Sequence, residues 1–243
     1  MHAEVQGALV ERGGHVVWLT GDVPDLPADM AVNVEERVVA AEDFTITGLE
    51  QDQEIFVAED LLVRPPWVAR PAGFDGIELI VPRGGAFGSG EHASTQAALL
   101  CLHRGWRSVE SFADVGCGSG ILALYAQVRG AARIEACDVD GPSVAATRAL
   151  LPGARVEHGN ASRLGRCGQV VANMTGRELA ASMDSILALW GREGPLVLSG
   201  MSGSEVDVIA RSVPAPEQDR LSVGRYTAVA FSPTGCESAP PVR

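Results

Sequence analysis

From Gly73 onward, short apolar strand patterns alternate with helix-length segments, and this alternation leaves few folds open. The spacing predicts strands at 77–81, 111–115, 133–139, 154–158, 168–173 and 195–199, interleaved with helices at 94–107, 120–129, 142–151, 177–190 and 203–212. Repeated strand–helix–strand units require a mostly parallel sheet with helices on both faces. The last two strands, 219–223 and 226–232, are separated only by Gly224 and Arg225, so they must pair antiparallel.

Residues 1–60 follow a different pattern, with strand-like runs at His15–Leu19 and Ile55–Val57 and turn chemistry around Gly21–Pro24. They read as a small acidic N-terminal lobe suited to substrate recognition. Pro65, Pro66 and Pro71 stiffen residues 61–72 into a linker, 73–232 form the larger domain, and 233–243 form a tail predicted to be disordered. Charge is uneven, because residues 1–75 carry 15 acidic and 4 basic side chains and so hold −11 of the net charge of −12. Such a segment repels nucleic acid, which predicts no direct nucleic-acid binding, and attracts a basic protein or peptide. A solvated acidic surface is the alternative.

All 19 basic residues are arginine, which excludes a P-loop lysine, a Schiff-base lysine and a lysine base. The five cysteines (Cys101, Cys117, Cys137, Cys167 and Cys236) form no CxxC pair, so free thiols are expected and a zinc knuckle is not. No apolar run reaches the roughly 18 residues of a membrane span, and no basic-then-apolar leader opens the chain, so a cytoplasmic protein without membrane contact is expected. Oligomeric state stays open.

The run Asp114-Val115-Gly116-Cys117-Gly118-Ser119-Gly120 lies between a predicted strand and a predicted helix. Gly116, Gly118 and Gly120 let the backbone turn tightly beside a ligand, and the helix start offers unpaired N–H groups. Asp138 ends the next strand, where a carboxylate can accept both hydroxyls of a ribose. A dinucleotide site competes, but Asp114 before the glycines and the Gly-Cys-Gly-Ser-Gly form favour S-adenosylmethionine.

Further motifs resemble one family. Ala86-Phe87-Gly88-Ser89-Gly90-Glu91-His92-Ala93-Ser94-Thr95 is similar to the AFGTGTHPTT signature of PrmA, the methyltransferases of a ribosomal protein. Asp114 to Ala123, Cys137-Asp138-Val139-Asp140, Val170-Val171-Ala172-Asn173-Met174 and Leu198-Ser199-Gly200 are similar to that family's later motifs, in order. Leu61–Trp67 resembles the segment before its catalytic domain. The resemblance implies an α/β, Rossmann-like class I methyltransferase sheet, mostly parallel with the last strand antiparallel. It also implies methyl transfer from S-adenosylmethionine, leaving S-adenosylhomocysteine, to amino groups of a ribosomal protein. Two readings stand beside it: an N-methyltransferase of the same fold acting on another protein, peptide or natural-product amine, and a non-catalytic adenosylmethionine-binding module. Glu91 replaces a Thr, Ala93 a Pro, and Met174-Thr175-Gly176-Arg177 an apolar continuation.

Asn173, ending the predicted strand at 168–173, can accept an N–H of the incoming amine, or merely close a turn. Phe87 lines the channel beside the methionine moiety or anchors its loop. His92 and Thr95 start a helix, where they cap it or meet a ligand carboxylate. Asn160 follows the predicted strand at 154–158, where it can meet an adenine amine, and Val139 flanks Asp138 in the same cofactor set. Glu91 is either a substrate-amine contact or a solvated carboxylate, and His103 inside the first helix reads as structural. No metal site is expected.

Overall fold

The central strands are buried along nearly their whole length, and alternate residues join different core clusters, which places helices on both faces of the main sheet. The computed structural model describes residues 8–11 and 14–17 as backbone, and 52–84 and 86–233 with side chains. Contacts divide the chain into two units, Met1–Gln53 and Glu54–Arg243. In the first, β1 (Ala8–Glu11) and β2 (Gly14–Val17) pair antiparallel with Ala8 opposite Val17. The turn expected near Gly21 and the tail from 234 lie outside the described residues.

The second unit opens with a three-stranded sheet of β3 (Ile55–Ala58), β4 (Leu61–Arg64) and β5 (Ile77–Ile80). β3 and β4 are antiparallel, and β5 lies parallel to β4 with Leu61 opposite Ile77. Two expectations change here. Leu61–Arg64, read as linker, is a strand whose Leu61, Leu62 and Val63 are buried, so the boundary falls at Gln53 rather than near residue 72. Residues 77–80, read as the first strand of the α/β sheet, belong instead to this smaller one. Pro65 and Pro66 end β4 rather than begin a free connection.

The main sheet has seven strands: β6 (Ser111–Val115), β7 (Arg133–Asp138), β8 (Arg155–His158), β9 (Gln169–Asn173), β10 (Leu196–Ser202), β11 (Glu217–Val223) and β12 (Tyr226–Phe231). Their order is β11-β12-β10-β9-β6-β7-β8. β6 to β10 run parallel, and β12 is antiparallel to both neighbours. The helices are α1 (Ala93–Gly105), α2 (Ile121–Val128), α3 (Gly141–Leu150), α4 (Gly176–Leu189) and α5 (Glu205–Ser212).

Phe112, Val171, Val197, Ala228 and Ala230 join one core cluster with α1 and α2, while Ala113, Val170, Leu198, Val229 and Phe231 join the other with α4 and α5. Alternate residues thus face opposite layers, and both are apolar because both are covered. Side chains set several helix starts. Asp140 Oδ2 accepts from Ser143 N at 2.9 Å ahead of α3, and Thr175 and Glu178 form a reciprocal capping box at α4. The four described cysteines are free and buried, whereas Cys236 lies outside the described residues. No helix among the described residues is long and apolar enough to cross a membrane, and no group of His, Cys, Asp or Glu among them is arranged to hold a metal.

Candidate functional site

Parallel strands bring their C-terminal ends to one edge, and the chain moves outward in opposite directions from β6 and β9. That reversal opens a crevice between their loops. A cavity of about 600 Å³ lies there, lined from β6 by Gly116 and Gly118, from β7 by Asp138 and Val139, and from β9 by Asn173.

The floor is the glycine loop. Gly118 has φ +53°, and a Cβ there would stand well inside van der Waals distance of the Phe87 carbonyl oxygen. Such closeness lets Ser119 N donate to Phe87 O at 2.8 Å and Ser119 Oγ to Gly88 O at 2.8 Å, fastening the Phe87 loop to the glycine loop. Gly118 N donates to Asp138 Oδ2 and Asp140 N to Asp138 Oδ1, each at 2.9 Å. Each carboxylate oxygen keeps a lone pair for a ligand. Val139 beside it is 76% exposed, an uncovered apolar side chain at the rim. The Cys137 thiol also lines the cavity, and burial pushes it up to about 12, so it stays neutral.

Asn173 is the most informative side chain. Its Nδ2 donates to Thr95 Oγ1 at 3.3 Å, while its Oδ1 is buried with no hydrogen-bond partner. A buried amide oxygen left without a donor costs about 1–3 kcal/mol, so a donor brought to it would be stabilising. Met174 N donates to Ser199 O at 3.0 Å. Gly200 has φ +94° and no room for a Cβ against Met174 O, which keeps β10 tight against the chain leaving Asn173.

Of the residues singled out from the sequence, Phe87, His92, Gly116, Gly118, Asp138, Val139, Asn160 and Asn173 line the cavity. Thr95, Asp114 and Gly120 do not. Thr95 is buried behind Asn173 and orients its amide, and Gly120 is the left-handed residue from which α2 starts. Asp114 lies inside the sheet layer, where its Oδ2 accepts from Ala123 N at 3.1 Å. Asn160 needs a second correction. Its Oδ1 accepts from Ser162 N at 3.2 Å and Ser162 Oγ at 2.6 Å, so both lone pairs are used and no acceptor remains for an adenine amine. Its Nδ2 remains as a donor for a ring nitrogen.

His92 caps α1: its Nδ1 accepts from Ser94 N at 3.3 Å, which leaves the hydrogen of the neutral ring on Nε2. Glu91 lies outside the cavity, where Ser89 Oγ donates to it and it pairs with Arg83 at 3.1 Å. His103 bridges Asp60 and Tyr125. Tyr226, Glu178 and Ser182 also line the cavity and were not foreseen. Glu178 and Ser182 share one face of α4 at i and i+4, a spacing visible in the sequence.

Burial pushes Asp114 up to about 7, and the charge of Asp138 adds to the rise. Its ordinary value is near 4. Below that pH the carboxyl is protonated in both the folded and the unfolded chain, and above about pH 7 it is ionised in both. Between the two, only the unfolded chain releases the proton, so rising pH erodes stability by up to about 4 kcal/mol. Urea denaturation should show Asp114→Asn gaining on the parent chain from pH 4 to pH 8. A constant difference would mean that Asp114 is ionised in the folded state throughout.

The family model "Ribosomal protein L11 methyltransferase (PrmA)" matches residues 25–216. This chain belongs to the PrmA family. A ribosomal protein L11 methyltransferase of Thiobacillus denitrificans is 33% identical over 80% of this chain and 71% of its own length. One from Gloeobacter violaceus is 37% identical over 60% of this chain, and the match spans 49%, about half, of that relative's length. The crystal structure of ribosomal protein L11 methylase from Lactobacillus delbrueckii superposes with a TM-score of 0.67 at 24% identity, covering 74% of this chain and 98% of that one. That likeness is one of fold. The motifs around Phe87, Gly118, Asp138, Asn173 and Gly200 that resembled PrmA are the ones that meet in the cavity.

Proposed function

We propose that the chain transfers methyl groups from S-adenosylmethionine to amino groups of a protein, with a ribosomal protein of the L11 type as acceptor. The observation that carries this reading is Asn173, a lining residue of the cavity whose buried Oδ1 has no hydrogen-bond partner, with nucleoside-type features at one end of that cavity. Members of the family use S-adenosylmethionine as methyl donor, and the cavity fits it. Asp138 offers a lone pair on each oxygen to a ribose, Val139 an apolar face to a purine, and Asn160 Nδ2 a donor to a ring nitrogen. When bound, the cofactor supplies an electrophilic methyl group on a sulfonium.

The chain's own residues then do the positioning. Thr95 holds the Asn173 amide through Nδ2 and so leaves Oδ1 to accept one N–H of an amine, which points the nitrogen lone pair away from the amide. Only a neutral amine has that lone pair, so the acceptor must lose a proton before reacting. The acidic first segment of the chain suits a basic protein, and within the cavity the work is orientation.

Labelled S-adenosylmethionine, incubated with the protein and a purified L11 ribosomal protein, should place label on that protein. Binding of a nicotinamide dinucleotide instead of S-adenosylmethionine would overturn the reading. Asp138→Ala should weaken S-adenosylmethionine binding at least about tenfold by calorimetry, because hydrogen bonds to a charged group contribute about 1.5–3 kcal/mol each.

A further inference from the structure

The order of strands gives the cavity a direction. Asp138 and Val139 belong to β7, Gly116 follows β6, Asn173 ends β9, Gly200 lies on β10 and Tyr226 opens β12. Neighbouring strands are about 4.8 Å apart, so Asn173 stands about 10 Å from Asp138, and Tyr226 about as far again beyond Asn173. On the function proposed above, the nucleoside takes the β7 end and the methyl group arrives at Asn173. What lies past Asn173 is left for the acceptor.

A chain of three aromatic rings runs from the glycine-loop side of the cavity to that far stretch. The rings of Phe87 and His92 are 5.0 Å apart at 60°, and those of His92 and Tyr226 are 4.6 Å apart at 58°. All three line the cavity, and Phe87 is 55% exposed although its loop is fastened to the glycine loop. An aromatic ring held open beside a polar acceptor is surface waiting for a partner. Tyr226 is equally well held. Arg225 Nη2 donates to its hydroxyl at 2.9 Å, and the turn before it packs on α1, where a Cβ on Gly224 would lie 3.8 Å from that of Ala93. The carboxylate nearest in sequence to Asn173, Glu178, has its Oε2 engaged by Thr175 N and Thr175 Oγ1.

We propose that Tyr226, with Phe87 and His92, forms the wall that positions the acceptor: the apolar stem carrying the amine lies along the three rings and delivers its nitrogen to Asn173 Oδ1. Asn173 selects for an N–H, and the rings select for the methylenes behind it. The acceptor preference is thereby set by β12 and the Phe87 loop, apart from the residues that hold the nucleoside.

Calorimetry on protein saturated with S-adenosylhomocysteine tests this without turnover, using ethylamine, butylamine and hexylamine as probes. Affinity should rise along the series, by about fourfold per methylene at full burial. In Phe87→Ala and Tyr226→Ala the rise should flatten, in Tyr226→Ala with S-adenosylhomocysteine affinity within about twofold of the parent chain, and Tyr226→Phe should restore it. In steady state, Tyr226→Ala should raise the acceptor protein's KM about five- to twentyfold with a smaller change in kcat. A series that is flat in the parent chain, or equally steep in Phe87→Ala, overturns the wall; Phe87 is exposed, so that variant folds. If S-adenosylmethionine binds but no ribosomal protein is labelled, the proposed acceptor fails while the amine series still decides the wall.

Discussion

Asn173→Ala is expected to lower turnover by about a hundredfold or more while S-adenosylmethionine affinity changes by less than about threefold. The reason is geometric. Asn173 Nδ2 is tied to Thr95 and its Oδ1 has no partner within the described residues, so on the proposed function its bond forms with the acceptor and not with the cofactor. A misplacement of about 1 Å at the reacting atoms costs on the order of 10²-fold in rate. Single-turnover methyl transfer and calorimetry on the same preparation separate the two effects. Asn173→Asp keeps an oxygen in place but adds charge, and a carboxylate beside an amine favours the ammonium form. Relative to the parent chain at each pH, its activity should therefore recover as pH rises, whereas that of Asn173→Ala should not. Thr95→Val, which frees the amide to rotate, should give an intermediate loss. Equal losses of cofactor affinity and turnover in Asn173→Ala would make the residue a support of the cofactor site instead.

Much of this architecture was legible because the relevant signals are local. Parallel strands buried on both faces read as apolar runs, and the glycines at 116, 118 and 120 announce a turn from strand to helix wherever the strand sits in the sheet. Asp138 and Asn173 were expected beside a crevice, and they line the cavity, because they stand at the C-terminal ends of parallel strands. What was misread depends on partners distant in sequence. Residues 77–80 are a strand by pattern, but nothing in Ile77-Glu78-Leu79-Ile80 tells which sheet takes them, and their partner β4 was hidden by the prolines after it. Asp114 was assigned to the ligand because it precedes the glycines. Its place one residue before the end of a fully buried strand turns it toward α2, where it accepts from Ala123. Asn160 was given the wrong polarity because its oxygen is filled by Ser162, two residues on. Tyr226 reads as one more residue of an edge hairpin until β12 is seen to lie beside β10.

Gly118→Ala should lower stability by about 2–5 kcal/mol and abolish measurable S-adenosylmethionine binding, and Gly130→Ala separates the causes. Both glycines have positive φ, +53° at Gly118 and +91° at Gly130, a conformation that costs an alanine about 1–2 kcal/mol. They differ in surroundings. A Cβ on Gly130 meets nothing within 4 Å, whereas one on Gly118 collides with the Phe87 carbonyl, which is backbone and cannot swing aside. Overpacking of this kind adds about 1–3 kcal/mol. Relief requires the Phe87 loop to lift from the glycine loop, which breaks the Ser119–Phe87 bond and moves the Gly118 N–H that holds Asp138. Thr147 Oγ1 donates to Gly118 O at 2.9 Å from the other side, so the loop has no free direction in which to retreat. Urea midpoints should fall for both variants and further for Gly118→Ala, with cofactor binding lost in that one alone. If the two variants lose equal stability and both still bind, the close approach of the Phe87 loop is incidental, and the glycine is there for its backbone angle only.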